Sequence, residues 1–193
     1  MDVNLILDAL AFGNLLTLMS IGLTLTYITL KVPNFAHGDL VTFGIYTSYT
    51  IFVTLGISPY LSLPIAFLVG GLVSLLLYFV AFLPLSRRNA TVVVMMIASI
   101  AAEILLRSFL HIYADIGAHT TGKIFHAFMM READPGVVVG GITVKTSLII
   151  TSILVLFLLL SLHVFLTKTK TGISMRAAIE NPSLARVLGI NVE

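Results

Sequence analysis

Long apolar runs separated by short polar islands organise this chain. Leu5 to Leu30 is apolar for long enough, at about 1.5 Å per residue, to cross a hydrocarbon core of about 30 Å, and it ends at Lys31. The island Lys31-Val-Pro-Asn-Phe-Ala-His-Gly-Asp39 leads into Leu40 to Leu55, a shorter run with many Thr, Ser and Tyr residues. Gly56-Ile-Ser-Pro59 reads as an uncharged turn. Leu61 to Leu85, Val92 to Leu110 and Thr146 to Leu166 are further apolar runs, the first of them closed by Arg87-Arg88. The pattern predicts an all-α fold, a polytopic membrane helix bundle of about five transmembrane helices over 5–30, 40–55, 61–85, 92–110 and 146–166. A loop over 111–145 is expected, in which Val137 to Val144 suggests a small hairpin turning at Gly140-Gly141. The bundle then occupies 1–166, and 167–193 forms a separate polar segment.

Composition agrees with a lipid solvent. Of the 193 residues, 58% are hydrophobic and 10% charged, with mean hydropathy +1.07, unlike a soluble domain. There is no cysteine, which removes disulfides and thiolate metal sites. A cleaved leader is not expected, since Met1 to Asn4 carries Asp2 and no basic residue. Basic residues set the orientation, because cytosolic loops retain Lys and Arg. With the N-terminus outside, the cytosolic side holds Lys31, Arg87, Arg88, Lys168, Lys170, Arg176 and Arg186, and the outside holds Lys123, Arg131 and Lys145. The external loop also carries Asp115, Glu132 and Asp134, which cancel its charge. The expected placement is the cell (inner) membrane, multi-pass, with the C-terminus cytosolic.

Little in the spans resembles enzyme chemistry. Glu103 and Arg107 lie four apart in the fourth span and predict an intramembrane ion pair, serving either structure or a pathway. Ala66, Gly70 and Ser74 form a small-residue stripe that lets a helix approach closely. No catalytic nucleophile with an acid–base pair converges. Gly117 to Ile124 imitates a phosphate-binding loop, but Ile124 stands where Ser or Thr should hold magnesium, and the flanking strand and helix are missing. His37, His111, His119, His126 and His163 lack paired ligand spacing, so no metal is expected. Asn89-Ala-Thr91 fits a glycosylation acceptor but falls on the cytosolic side.

After the fifth span the chain continues through Thr167-Lys-Thr-Lys-Thr-Gly172 into a segment too polar to span. Asn181 with Pro182 predicts the start of a new helix and Gly189 its end, so two short helices with a bend at Asn181-Pro182 are expected. Leu184, Val187 and Leu188 form an apolar stripe, suited to a lipid surface or to a groove on a cytosolic partner.

Asn34-Phe-Ala-His-Gly-Asp39, placed after a first span ending Gly22-Leu-Thr-Leu-Thr-Tyr27, resembles the signature of branched-chain amino-acid ABC-importer permeases. The tail from Thr171-Gly172 through Met175-Arg176-Ala177 and Asn181-Pro182 to Leu188-Gly189-Ile190-Asn191 resembles that family's cytosolic loop. Pro33 departs from the aliphatic residue usual before the Asn. The resemblance implies a permease subunit driven by ATP hydrolysis on partner ATPases, with no cofactor of its own, a second permease subunit and an external solute-binding protein. It implies an ATPase-coupling role for Gly172, Arg176, Ala177, Glu180, Asn181, Pro182, Arg186 and Gly189. Asn34, His37, Gly38 and Asp39 suit an interrupted helix that forms a substrate pathway or hinge, against the alternative of a plain loop with Asn34 or Asp39 capping the second span. A substrate ammonium could pair with Asp39, but a permease fed by a binding protein needs only weak contacts, and no such pairing is assigned from sequence. Family members continue for roughly another hundred residues with about three more spans, so a fragment or a split gene product is expected. An ion-coupled carrier or channel using Glu103, or an accessory structural subunit, are the alternative functions.

Overall fold

The computed structural model describes residues 3–30, 32–127, 134–139 and 141–189. Met1, Asp2, Lys31, Arg131, Glu132, Gly140, Ile190 and Asn191 lie outside the described residues. The fold is all-α and polytopic with one short β-hairpin. Its elements are α1 (Val3–Leu30), α2 (His37–Leu55), α3 (Leu63–Leu77), a π-helical turn (Tyr78–Phe82), α4 (Leu83–Arg87), α5 (Val92–Thr121), β1 (Gly136–Val139), β2 (Ile142–Lys145), α6 (Thr146–Lys168), α7 (Lys170–Glu180) and α8 (Pro182–Val187). Among the described residues, four stretches are long and apolar enough to cross a membrane: Val3–Ile28, Leu63–Arg87, Val92–Thr121 and Thr146–Lys168. The chain is a multi-pass membrane protein.

Against about five expected spans, α2 is the helix that falls outside this set. Thr42, Thr47, Thr50 and Thr54 lower its hydropathy, yet each hydroxyl donates to the carbonyl one turn back, at 2.7–2.9 Å. Such back-bonding keeps a hydroxyl satisfied inside its own helix. The fourth run also differs from expectation, because α5 continues to Thr121 through residues assigned to a loop after Leu110. Its buried stripe Met95, Ser99, Ala102, Leu106, Leu110, Ala114 and Gly117 keeps helical spacing throughout. His111, Asp115 and His119 lie on the exposed face, so they raise polarity without ending the helix. Gly122, at φ 67°, ends it in the left-handed conformation that glycine adopts without a Cβ clash.

The chain divides into two compact units, 30–134 and 1–29 with 135–193. In the first, α3 packs on α2 through small residues. A Cβ on Gly44 would sit 3.7 Å from the Ala66 carbonyl oxygen, and one on Gly70 3.8 Å from that of Leu40. Ser74, the third member of the expected stripe, stays exposed. The π-helical turn precedes Pro84, which has no N–H for the regular ladder, and there Leu83 donates to Tyr78 five residues back. Beyond α5 the chain folds back so that Phe125 is fully buried against Ala114, Gly117 and Tyr49. Tyr49 and Tyr46 on α2 donate to the carbonyls of Ile124 (2.7 Å) and Phe125 (3.0 Å).

In the second unit, Asn14 on α1 donates to Ser152 (2.8 Å) and Thr151 (3.4 Å) on α6, and Lys145 pairs with Asp8 at 2.8 Å. The hairpin is antiparallel, with Gly136 opposite Lys145 and Val139 opposite Ile142. A cavity of about 380 Å³ between α1 and α6 is lined by leucines and isoleucines with Thr17, Ser20 and Thr24.

Phe125→Ala should leave a void between α2 and α5 and destabilise the first unit by about 3 kcal/mol, the usual scale for removing a buried aromatic ring. Thermal unfolding of the detergent-purified protein measures this, with Tyr49→Phe showing a smaller loss, of about 1 kcal/mol, for one hydrogen bond.

Candidate functional site

The backbone between α1 and α2 is non-helical through Val32 to Asn34, turns at Phe35-Ala36 and resumes as helix at His37. Val32, Asn34 and Ala36 are buried. This break rests on α5 at Ser99, seven residues past Val92 and therefore about 10 Å inside that helix. Non-helical backbone at that depth needs partners supplied by protein. Asn34 provides two: its side-chain oxygen accepts the Ala36 N–H at 3.1 Å and its carbonyl that of His37 at 3.3 Å. Ser99, fully buried, accepts the Phe35 N–H at 3.4 Å while its hydroxyl donates to Met96 on its own helix at 2.8 Å. Asn34 thus shapes an Asx turn ahead of the helix, and the residue that caps α2, Ala36, contributes no side-chain bond. Pro33 fits, since it lies where no N–H is required and leaves its carbonyl facing Ser99 at 3.5 Å.

Asp39 occupies the first turn of α2, where the helix dipole favours a carboxylate. Its Oδ1 lies 3.5 Å from Nε of Arg107, whose Nη2 is 2.6 Å from Oε1 of Glu103. Sequence spacing suggested only the Glu103–Arg107 pair. The fold adds Asp39 from a different helix, because Ala36 and Leu40 pack between Ala102 and Leu106 and carry the intervening turn of α2 onto α5. The Asp39 side chain is 10% exposed, Glu103 25% and Arg107 56%. Asp39 Oδ2 is buried with no hydrogen-bond partner among the described residues.

The tail is built as a rigid angle. Thr169 ends α6 and starts α7: its N–H donates to Phe165 and its hydroxyl oxygen accepts the Gly172 N–H at 3.0 Å. Gly172 is buried so tightly against the backbone of Phe165 and Leu166 that no Cβ fits. Asn181 caps α8 by accepting the Leu184 N–H at 3.1 Å, with Pro182 in the first turn. Ala185 is buried, Gly189 closes the segment at φ 78°, and Ala177 is half-buried within α7. Arg176, Glu180 and Arg186 are exposed, as are Leu184, Val187 and Leu188.

The phosphate-loop imitation is helical through Thr121, so its amides are engaged in α5, and Gly117 serves to admit the Phe125 ring. His126 lies 2.9 Å from Asp115 and stacks on His111, but no group of three metal-ligating side chains exists among the described residues. Ser99 was missed from sequence; its signal was a lone serine in register with Met95, Ala102 and Leu106.

The family model described as branched-chain amino acid transport system / permease component matches residues 5–193. This chain belongs to that family. A probable branched-chain amino acid transport permease protein LivH of Methanocaldococcus jannaschii is 42% identical over 185 residues, covering 96% of this chain and 57% of the relative. The high-affinity branched-chain amino acid transport system permease protein LivH of Escherichia coli K12 is 27% identical, covering 96% and 61%, and the BraD protein of Pseudomonas aeruginosa 22%, covering 96% and 62%. The chain therefore spans about three-fifths of the length of these curated relatives. No solved structure matches it significantly. Within this permease family chain, the helix break, the charged triad and the angled tail are the features with chemistry to offer.

Asn34→Ala should orphan the Ala36 N–H and destabilise the break by about 1–2 kcal/mol, whereas Asn34→Asp keeps the acceptor and most of the stability. Differential thermal unfolding in detergent separates the two variants.

Proposed function

We propose that this chain is a transmembrane permease subunit of an ABC importer for branched-chain or related amino acids, moved by ATP hydrolysis on cytosolic partner subunits. Family membership and the names of the relatives support the substrate class. The observation that carries the mechanism is the α6–α7–α8 connection. An apolar membrane helix passes through a junction with no slack at Gly172 into two short polar helices on which Leu184, Val187, Leu188 and the cations Arg176 and Arg186 are exposed. Such a ridge suits insertion into a groove on an ATPase, and a stiff junction transmits its displacement to α6 as a rigid-body motion.

In this reading the chain binds no nucleotide and catalyses no reaction; a second permease subunit completes the pathway and an external solute-binding protein delivers the amino acid. The break at Asn34 to Asp39, with His37 and Gly38, lies on the pathway or acts as its hinge. The chain sits in the cell (inner) membrane with its N-terminus outside and α7 and α8 in the cytosol.

These 193 residues contain no cysteine, so single thiols report orientation cleanly. Lys123→Cys should label with an impermeant maleimide in intact cells, and Arg186→Cys only after permeabilisation; the reverse pattern refutes the orientation. Gly172→Ala should abolish ATP-driven leucine uptake while the protein still reaches the membrane, because the added methyl forces α7 off α6. Arg176→Glu with Arg186→Glu should weaken co-purification of the ATPase. Wild-type uptake and assembly in both variants would remove the coupling role from the tail.

A further inference from the structure

Resting on the amino-acid permease reading above, we infer that Asp39, Glu103 and Arg107 together receive the charged α-groups of the amino acid in transit, Arg107 taking its carboxylate and the two acids its ammonium. Two carboxylates share one guanidinium, so the cluster keeps one formal negative charge. Nε of Arg107 faces Asp39 and Nη2 faces Glu103, which leaves guanidinium N–H donors without a partner among the described residues. Asp39 Oδ2 is likewise without a hydrogen-bond partner, although the side chain is nine-tenths buried. A buried carboxylate oxygen left unpaired is costly, and a cluster built only to hold α2 on α5 would satisfy it.

The location is equally specific. Glu103 and Arg107 lie twelfth and sixteenth in a thirty-residue apolar helix, and Arg107 is half-exposed. An exposed guanidinium at that depth cannot face hydrocarbon cheaply, so this side of α5 looks onto protein or onto water. A zwitterion brings one carboxylate and one ammonium on the same carbon. It complements a site in which the exposed Arg107 offers spare donors beside the quarter-exposed Glu103 carboxylate, with the enclosed Asp39 adding negative charge behind them, and charge-assisted bonds of this kind are the stronger ones. The buried side of the break beneath Asp39 fixes the position of its first turn. Binding exchanges part of the Arg107 contact with the acids for contact with the substrate, so the site holds its ligand weakly and releases it.

The test uses the transporter in its native assembly in membrane vesicles, with leucine as probe. Asp39→Asn and Arg107→Gln should each lower leucine uptake by about tenfold or more, the scale of one lost charge-assisted bond, while co-purification of the ATPase persists. Exchanging Glu103→Arg with Arg107→Glu restores an i, i+4 pair, and uptake should stay low. Uptake at the wild-type rate in the exchanged protein or in Asp39→Asn would make the cluster purely structural and overturn the inference. A measurement that leaves the triad intact guards against misfolding. Ile100→Cys places a thiol about one turn from Glu103, and saturating leucine should slow its modification by a small methanethiosulfonate at least threefold, with 4-methylpentanoate, which lacks the ammonium, giving no protection. Equal rates with and without leucine overturn the inference. Absence of leucine uptake by the unaltered assembly would instead refute the permease reading itself.

Discussion

Backbone that leaves the helix inside an apolar environment must find partners for its N–H and C=O groups, and the 30–134 unit is organised around meeting that demand between α1 and α2. Asn34 turns the chain, Ser99 receives the exposed amide of Phe35, and Ala36 is small enough to vanish between α2 and α5. Each of these depends on the others. Ser99 reaches Phe35 because α5 presents it in register with Ala102 and Leu106, and those two residues pack on Ala36 and Leu40 immediately beyond the break.

The same contact has a chemical consequence. Seating the first turn of α2 on α5 carries Asp39 to Arg107, turning a local helical ion pair into a three-member cluster with one carboxylate oxygen unpartnered. Two to three turns further along α2, Tyr46 and Tyr49 hold the segment after α5 by its carbonyls, with the Phe125 ring against Gly117. Helix α2 is thus tied to α5 near its N-terminus by the Asp39–Arg107 contact and the packing of Ala36 and Leu40 on Ala102 and Leu106, and further along by its two tyrosines. Its threonines bond within the helix and cost it little in a low-dielectric setting.

In the other unit the controlling constraint is steric. Gly172 leaves no room between α7 and the last turn of α6, and Asn181 with Pro182 then sets where α8 begins. The two units share a design principle, in which short polar side chains and glycines decide the places where helices stop and turn, while the apolar residues between them supply the long straight sections.

Apolar run length determined, from sequence alone, that the chain is polytopic and helical, because hydrocarbon thickness sets how long a span must be. Local chemistry also marked the Glu103–Arg107 pair, the Asn181-Pro182 helix start and the hairpin before α6, since all are decided by neighbours in sequence. The true length of α5 was written in its buried stripe but obscured by His111, Asp115 and His119, whose polarity matters only for the face they occupy. The union of Asp39 with Arg107, the bond of Ser99 to Phe35 and the docking of Phe125 on Tyr49 join residues 64 to 76 positions apart in sequence. Only packing between helices decides such contacts, because the pattern along one helix shows which side is buried and never which residue of another helix covers it.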